Sequence, residues 1–157
     1  INLHGDGVLK QLLDVYENDG GMVENSMELP REQMVRYGAL VGAVRDGRVV
    51  RAKGLVEKPA LENVPSNYAS MGPYILPNEI MQILPEVRKG TNGEINLTDA
   101  MELAAQRGMK LTGVLCDVLR FDCGTNKDLE RSNIKLSLME DADLRAYTCE
   151  LLKTMLV

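Results

Sequence analysis

The sequence lacks the features that mark disulfide-rich and zinc-binding proteins. Its three cysteines, Cys116, Cys123 and Cys149, are an odd number with no C-x-x-C pair, and His4 is the only histidine. Neither a disulfide framework nor a zinc site is therefore indicated. This cysteine usage fits a reducing, cytoplasmic location best.

The chain also lacks long apolar runs and a surplus of positive charge. No apolar stretch approaches the ~20 residues of a membrane-spanning helix, and the N-terminus has no basic segment followed by an apolar one. The 18 Lys and Arg residues are scattered, and 23 Asp and Glu residues bring the net charge to -5. The missing apolar stretch leads us to expect no membrane as partner. Because a net negative field repels a polyanion, we also expect no nucleic acid polymer as partner. A phosphate-bearing substrate must be small.

The length of 157 residues, 45% of them hydrophobic, is that of one domain with a real core, and we expect a single domain over 1–157. The predicted strands and helices interleave without repeats, which indicates an α/β fold with a mixed sheet. The chain begins at Ile1 rather than Met, and residues 1–6 already read as the end of a strand. We therefore expect it to be truncated.

Periodicity and turn residues predict the individual elements. Asp46-Gly47 between two β-type runs is a strong hairpin signal, and Gly72-Pro73 predicts a bulge or a close approach to the backbone. Pro85 must kink or end its helix, whereas Thr98 and Thr125 can cap theirs. The residues from 24 to 36 read as a polar stretch. The predicted elements are helices over 8–18, 78–87, 98–107, 125–139 and 144–156, and strands over 39–44, 49–56, 68–76 and 110–120.

Two carboxylates lie where predicted strands end, which is where α/β sheets place ligands. Asp6 lies in Gly5-Asp6-Gly7 before the first helix, and Asp122 lies in Phe121-Asp122-Cys123-Gly124. Together they could supply two oxygen ligands to Mg²⁺, although Asp6 could equally cap its helix. Neither His4 nor Cys123 has an evident partner for acid–base or nucleophilic work.

Three further stretches could contact a sugar phosphate. Glu57 could accept from sugar hydroxyls while Lys58 meets a phosphate, but the two side chains reach one ligand only if the strand has ended before them. A solvated ion pair is the alternative. Tyr37-Gly38 could wall a sugar ring or form a turn. Gly72 and Glu94 could meet hydroxyls, whereas Thr98 and Asp99 are better explained as the start of a helix.

Taken in order, these stretches resemble the bacterial UTP–glucose-1-phosphate uridylyltransferases, from the middle of the enzyme to its C-terminus. The order and spacing carry the resemblance, since GDG or DCG alone would carry none. The matching segments are LHGDGVLKQLLDVYE (3–17), MELPREQMVRYG (27–38), GLVEKP (54–59), PSNYASMGPYIL (65–76), GEINLTDAM (93–101) and FDCG (121–124).

The resemblance implies a Rossmann-like nucleotide-diphospho-sugar transferase fold, of which this chain would be the mixed-sheet, sugar-phosphate-binding half. It implies the reaction of UTP with glucose 1-phosphate to UDP-glucose and pyrophosphate. By position, Asp6 and Asp122 resemble the family's Mg²⁺ ligands and Lys58 its phosphate-binding lysine, which are the catalytic residues expected here. Glu57, Gly38 and Gly72 resemble its glucose contacts.

The chain departs from the family pattern at Gly7, where a second Asp is frequent, at Pro73 in place of an Arg, and at Asn126 in place of a Lys. The family's glycine-rich loop for the UTP phosphates has no counterpart anywhere in the sequence. We therefore expect this chain to be inactive alone. The alternative is a non-catalytic sugar-phosphate-binding or assembly module. Strand edges left open by truncation predict a homo-oligomer.

Overall fold

A computed structural model describes residues 6–88 and 93–155. Residues 1–5 of the predicted strand end at 1–6, His4 among them, and most of the loop at 89–93 lie outside these ranges. Contacts group the chain into two units, residues 2–118 and residues 119–157. The expected single domain over 1–157 stays a prediction.

The larger unit is built on a seven-stranded sheet. Only β1 and β7 run parallel among the described pairs, and the other neighbours are antiparallel, so the predicted mixed α/β sheet is confirmed. The order across the sheet is β3-β4-β7-β1-β6-β2-β5. The strands are β1 Met22–Glu28, β2 Gly38–Val41, β3 Val44–Asp46, β4 Val49–Ala52, β5 Gly54–Glu57, β6 Tyr68–Ile75 and β7 Leu111–Leu115.

Strands β2 to β5 form one bent hairpin rather than two separate pairs. Val41 pairs with Gly54 and Val44 pairs with Arg51, so the register continues unchanged across the bend. Gly42 provides the bend with a φ of 60°. The base of the hairpin joins β6 and its tip joins β7, which curls the sheet. The predicted hairpin turn at Asp46-Gly47 is confirmed.

The central strand β1 is where the sequence-based prediction is wrong. Residues 24–28 belong to a strand with neighbours on both sides, not to an irregular polar stretch. Its polar side chains are buried at Glu24, Asn25 and Ser26. Glu24 accepts from two hydroxyls and the Asn25 amide nitrogen donates to the Gly72 carbonyl, which is what allows polar residues in a sheet interior. The Asn25 side-chain oxygen is buried without a partner among the described residues.

The helices follow the sequence more closely. Helix α1 spans Val8–Asp19 and α3 spans Leu97–Gln106, close to the predicted bounds. The predicted helix over 78–87 is shorter: α2 covers Glu79–Ile83, and a 3-10 turn at Leu84–Glu86 carries Pro85. Thr98 does not cap α3, because Asn96 holds the N-cap position. The main core lies between the sheet and helices α2 and α3, around Met22, Leu40, Ile80 and Met101.

The smaller unit contains two helices, α4 Asn126–Glu140 and α5 Ala142–Met155. Thr125 is the N-cap of α4 as predicted, since its hydroxyl oxygen accepts from the Asp128 N–H at 3.1 Å. The Asp128 carboxylate accepts from the Thr125 hydroxyl at 2.8 Å, rather than from the Thr125 N–H as in a regular capping box. Neither helix has a buried residue in the described range. Across the described residues, no helix is both long and apolar enough to span a bilayer.

Candidate functional site

A row of cross-strand neighbours lies at one end of the sheet in the larger unit. Gly38, the first residue of β2, pairs with Glu57 on β5 and with Ser70 on β6, and Ser70 in turn pairs with Ser26 on β1. A Cβ atom on Gly38 would lie 3.2 Å from the Ser70 Cβ and 3.3 Å from the Glu57 carboxylate. Glycine therefore keeps this row open where any side chain would crowd it.

An open cleft of about 410 Å³ lies over this row. Its walls combine a cation, a carboxylate, hydroxyls and aromatic rings, which is a set suited to a polyol with an anionic group. The guanidinium of Arg36 lies 5.8 Å from the centre of the Tyr37 ring. The cleft is lined by Arg36, Tyr37, Gly38, Glu57, Ser70, Tyr74 and the segment 95–98.

The side chains of Glu57 and Lys58 lie close together because strand β5 ends between the two residues. Strand β5 stops at Glu57, and Lys58 has a φ of 43°, the only positive φ of a non-glycine residue in the described ranges. Its N–H donates to the Tyr37 carbonyl at 3.1 Å, and its ammonium lies 3.6 Å from the Glu57 carboxylate. The strand thus ends before Lys58, and the two side chains form the ion pair that was the alternative. Glu57 lines the cleft but Lys58 is not among its lining residues, so a ligand shared by both side chains stays a prediction.

Behind the cleft wall lies a fully buried carboxyl group, Glu24, that sequence reasoning missed. Its carboxylate accepts from the Ser70 hydroxyl at 2.5 Å and from the Ser26 hydroxyl at 3.2 Å. Burial raises its pKa to about 7, against the lowering effect of the two hydroxyls. Tyr74 lies 3.5 Å from Ser70 between hydroxyl oxygens, and burial is the main cause of its raised pKa.

Gly72 lies at the predicted irregularity of β6. On β6, three residues separate Ser70 from Tyr74, whereas on β1 a single residue separates their partners Ser26 and Glu24. The predicted bulge is therefore confirmed. Gly72 has a φ of 57°, and its carbonyl accepts from the Asn25 side chain at 3.1 Å. It packs beside Tyr74 and is not among the residues that line the cleft. Its contact with glucose stays a prediction.

The start of α3 forms the opposite wall. Asn96 donates to the Asp99 carboxylate at 2.9 Å, which holds the first turn. Thr98 and Asp99 begin a helix, as expected. Thr98 is among the residues that line the cleft, and its hydroxyl oxygen is buried without a hydrogen-bond partner among the described residues. A buried hydroxyl of this kind is a ready partner for a ligand. Glu94 lies in the loop before this helix and is exposed.

The two predicted metal ligands belong to different units. Asp6 is exposed before α1, where its backbone carbonyl accepts from Gln11 at 2.8 Å. Asp122, in the smaller unit, accepts from the Gly124 N–H at 3.1 Å and lies 3.2 Å from the Arg120 guanidinium. Within residues 6–88 and 93–155 no group of three or more metal-binding side chains occurs. Mg²⁺ commonly takes one or two carboxylates along with waters and phosphates, so either residue has the chemistry of such a ligand, and their joint role stays a prediction.

Four residues at the cleft or directly behind it were not singled out by sequence reasoning: Arg36, Ser70 and Asn96 line the cleft, and Glu24 lies behind it. Arg36 directly precedes the Tyr37-Gly38 pair that was singled out, so its neighbourhood was a usable signal. Ser70 and Glu24 had none, because their pairing depends on strands 46 residues apart.

Comparisons with known proteins identify the family and the fold. The family described as nucleotidyl transferase matches residues 4–137. The chain is 40% identical over 115 residues to the UTP–glucose-1-phosphate uridylyltransferase of Komagataeibacter xylinus, covering 73% of this chain and 40% of that protein. It is 37% identical over 125 residues to the enzyme of that name from Pseudomonas aeruginosa, covering 80% and 44%.

A solved structure shows the same fold. A UDP-glucose pyrophosphorylase complexed with UDP-glucose superposes with a TM-score of 0.79 and 33% identity, covering 87% of this chain and 52% of that chain. The chain thus spans about half the length of the curated relatives it matches. Since the family match covers most of its residues, the chain belongs to the nucleotidyl transferase family, and its likeness to the UTP–glucose-1-phosphate uridylyltransferases is confirmed.

Proposed function

We propose that this chain supplies the sugar-phosphate and metal side of a nucleotidyltransferase that makes UDP-glucose and pyrophosphate from UTP and glucose 1-phosphate. The observation that carries the proposal is the position of Glu57 and Lys58. A carboxylate faces the cleft floor beside Gly38, and an ammonium stands 3.6 Å away at the strand end. Relatives that bear the name of this activity support the choice of substrates.

In this proposal the glucose ring lies over Gly38, where the missing side chain leaves room for it. Glu57 accepts from sugar hydroxyls, and Lys58 meets the phosphate with its exposed ammonium. Gly72 supplies a further sugar contact from β6. The Tyr37 ring forms one wall, and the Thr98 hydroxyl on α3 donates to or accepts from the sugar.

The reaction is an in-line displacement at the α-phosphorus of UTP by an oxygen of the sugar phosphate. Because that nucleophile is already an anion, the residues of this chain need to align it and offset charge rather than remove a proton. Lys58 does this for the sugar phosphate. Asp6 and Asp122 would hold Mg²⁺, which, when bound, neutralises phosphate charge.

The chain alone should bind glucose 1-phosphate without turning over UTP, because it spans about half the length of its curated relatives. A UDP-glucose-forming assay on the isolated chain tests the second part, and turnover would contradict it. Isothermal titration with glucose 1-phosphate, with and without Mg²⁺, tests the first. Absence of binding under both conditions would overturn the proposal and favour an assembly module.

We also propose that the chain forms a homo-oligomer. Helices α4 and α5 have no buried residue and expose apolar side chains, which favours packing against another surface. A monomer by light scattering at micromolar concentration would contradict this. The exposed side chains are Leu129, Ile134, Leu144, Tyr147, Leu151, Leu152 and Met155.

A further inference from the structure

Glu24 is the one buried carboxyl group in the described residues, and the proposed chemistry does not use it. It lies at 0% exposure on the central strand β1, below the cleft wall. Two hydroxyls, from Ser26 and Ser70, donate to it, and no cation contributes to its pKa shift within the described chain. Ionisation of a buried carboxyl group lowers the stability of the fold, so a carboxyl group in such a place is a candidate for a functional role.

The route from Glu24 to the cleft is short and passes through one hydroxyl. Ser70 lines the cleft and donates to Glu24 at 2.5 Å. A serine hydroxyl has one proton and two lone pairs. When its proton is directed to the ionised Glu24, the oxygen keeps two lone pairs: the Tyr74 hydroxyl, 3.5 Å away, can donate to one of them, and the other is available to the cleft.

We propose that Glu24 is a positioning residue for sugar binding: its carboxylate holds the Ser70 proton, so that Ser70 accepts a hydrogen bond from a sugar hydroxyl in the cleft. This inference rests on the proposed sugar-phosphate function and deepens it. Glu24 itself touches no substrate. It sets the direction of a hydrogen bond made by the residue in front of it.

Protonation of Glu24 reverses this arrangement. The neutral carboxyl group can donate its own proton to Ser70, which occupies a lone pair and turns the serine proton towards the cleft. A sugar hydroxyl that donates to Ser70 then loses its acceptor. The pKa of about 7 places this change within the range where binding can be measured.

The other titratable groups around Glu24 are few. Tyr74 on β6 is its cross-strand partner, and the charges of Glu24 and Glu57 both add to the raised pKa of that phenol, which therefore stays protonated. Glu57 on β5 and Arg36 line the cleft beyond it. Gly113, the residue of β7 that pairs with Glu24, carries no charge.

The test compares wild type with Glu24→Gln in titrations with glucose 1-phosphate between about pH 5.5 and pH 8.5. Glutamine keeps the shape of the neutral acid and donates to Ser70 at every pH. The probe's own phosphate ionises near pH ~6, but this affects both proteins equally and cancels in the ratio of their Kd values. At high pH we expect wild type to bind glucose 1-phosphate about tenfold more tightly than Glu24→Gln, which is the effect of one hydrogen bond. At low pH the ratio of the two Kd values should approach one.

Two further variants define the path. Ser70→Ala should bind as weakly as Glu24→Gln at high pH, and the double variant should be no weaker than either one, because both act through the same hydroxyl. The control is Glu28→Gln, an exposed carboxylate on the same strand, which should follow wild type at every pH. Additive losses in the double variant would overturn the inference.

A measurement on wild type alone removes any dependence on how the variants fold. The ¹³C resonance of the Glu24 carboxyl group reports its titration directly, and linkage requires a tenfold affinity difference to lower its pKa by about one pH unit at saturating glucose 1-phosphate. An unchanged pKa, or a Kd ratio that is the same at all pH values, overturns the role of Glu24 and leaves the proposed function standing. Failure of wild type to bind at any pH overturns both.

Discussion

The Glu57 carboxylate and the Lys58 ammonium lie 3.6 Å apart, although they belong to consecutive residues whose side chains would leave opposite faces of a regular strand. The strand ends at Glu57, and the positive φ of Lys58 turns its side chain back towards that carboxylate. A lysine in this conformation is strained relative to glycine. The strain is consistent with a position kept for ligand binding rather than for stability.

Replacing Lys58 should therefore separate stability from binding. Lys58→Gly relieves the strained φ and is expected to raise the free energy of unfolding by about 0.5–1 kcal/mol in urea titrations. The same change removes the phosphate-binding charge and should weaken glucose 1-phosphate binding by about tenfold, less so at high salt. Lys53→Ala, an exposed lysine of the same hairpin, is the control for binding. Equal affinities of the Lys58 and Lys53 variants would contradict the role of Lys58.

Gly38 should tolerate no side chain without loss of affinity. In Gly38→Ala the new methyl group lies 3.2 Å from the Ser70 Cβ and 3.3 Å from Glu57, so it narrows the cleft floor. We expect at least a tenfold rise in Kd for glucose 1-phosphate and a loss of about 1 kcal/mol in unfolding free energy. Gly7→Ala, measured without Mg²⁺, is the matched control, since a methyl group there meets nothing within 4 Å. Unchanged affinity in Gly38→Ala would show that the sugar lies elsewhere.

Burial of Glu24 should make stability depend on pH. Its pKa rises from 4.5 to about 7 on folding, so the folded chain binds more protons than the unfolded chain between these values, and stability falls as pH increases through the window. Glu24→Gln removes this dependence. The stability of wild type relative to the variant should fall by roughly 2 kcal/mol between about pH 5.5 and pH 8, followed by urea unfolding. Parallel curves for the two proteins would show that Glu24 does not titrate there.

The Thr98 hydroxyl offers a test of the opposite wall. It is buried without a partner among the described residues, so Thr98→Val should leave the free chain as stable or stabilise it by up to about 1 kcal/mol. If a sugar hydroxyl completes its hydrogen bonding, the same change weakens glucose 1-phosphate binding by about fivefold or more. Thr154→Val, on α5, is the control: it makes the same change of residue type outside the cleft lining and should bind glucose 1-phosphate as wild type does. Tighter binding by Thr98→Val would rule out this contact.

How far the sequence predicts this molecule depends on the range of the interactions involved. Local signals located α1, the Asp46-Gly47 hairpin, the Thr125 N-cap and the interruption of α2 shortly before Pro85, because each depends on residues within a few positions of one another. Strand β7 ends at Leu115 rather than Arg120, since Cys116 and Val118 donate to carbonyls two residues back instead of to a neighbouring strand.

The central strand β1 could not be predicted from its own residues. A run such as Glu24-Asn25-Ser26 indicates a loop unless partners are known, and those partners lie on β6, at Ser70 and Gly72. The polar network behind the cleft could not be predicted for the same reason, because its members are far apart in the sequence. Glu57, Lys58 and Gly38 were singled out by their residue types together with the family resemblance. Their roles stay predictions, as does the joint position of Asp6 and Asp122.

The most direct test of sugar-phosphate binding at this cleft is a ¹H–¹⁵N NMR titration of the chain with glucose 1-phosphate. The proposed site predicts saturable shifts concentrated on the amides of Gly38, Glu57, Lys58 and Ser70, at the row where β5, β2 and β6 meet. Amides of α1 and of strand β3, at the far edge of the sheet, should stay in place. No saturable shift, or shifts centred away from this row, would contradict the account.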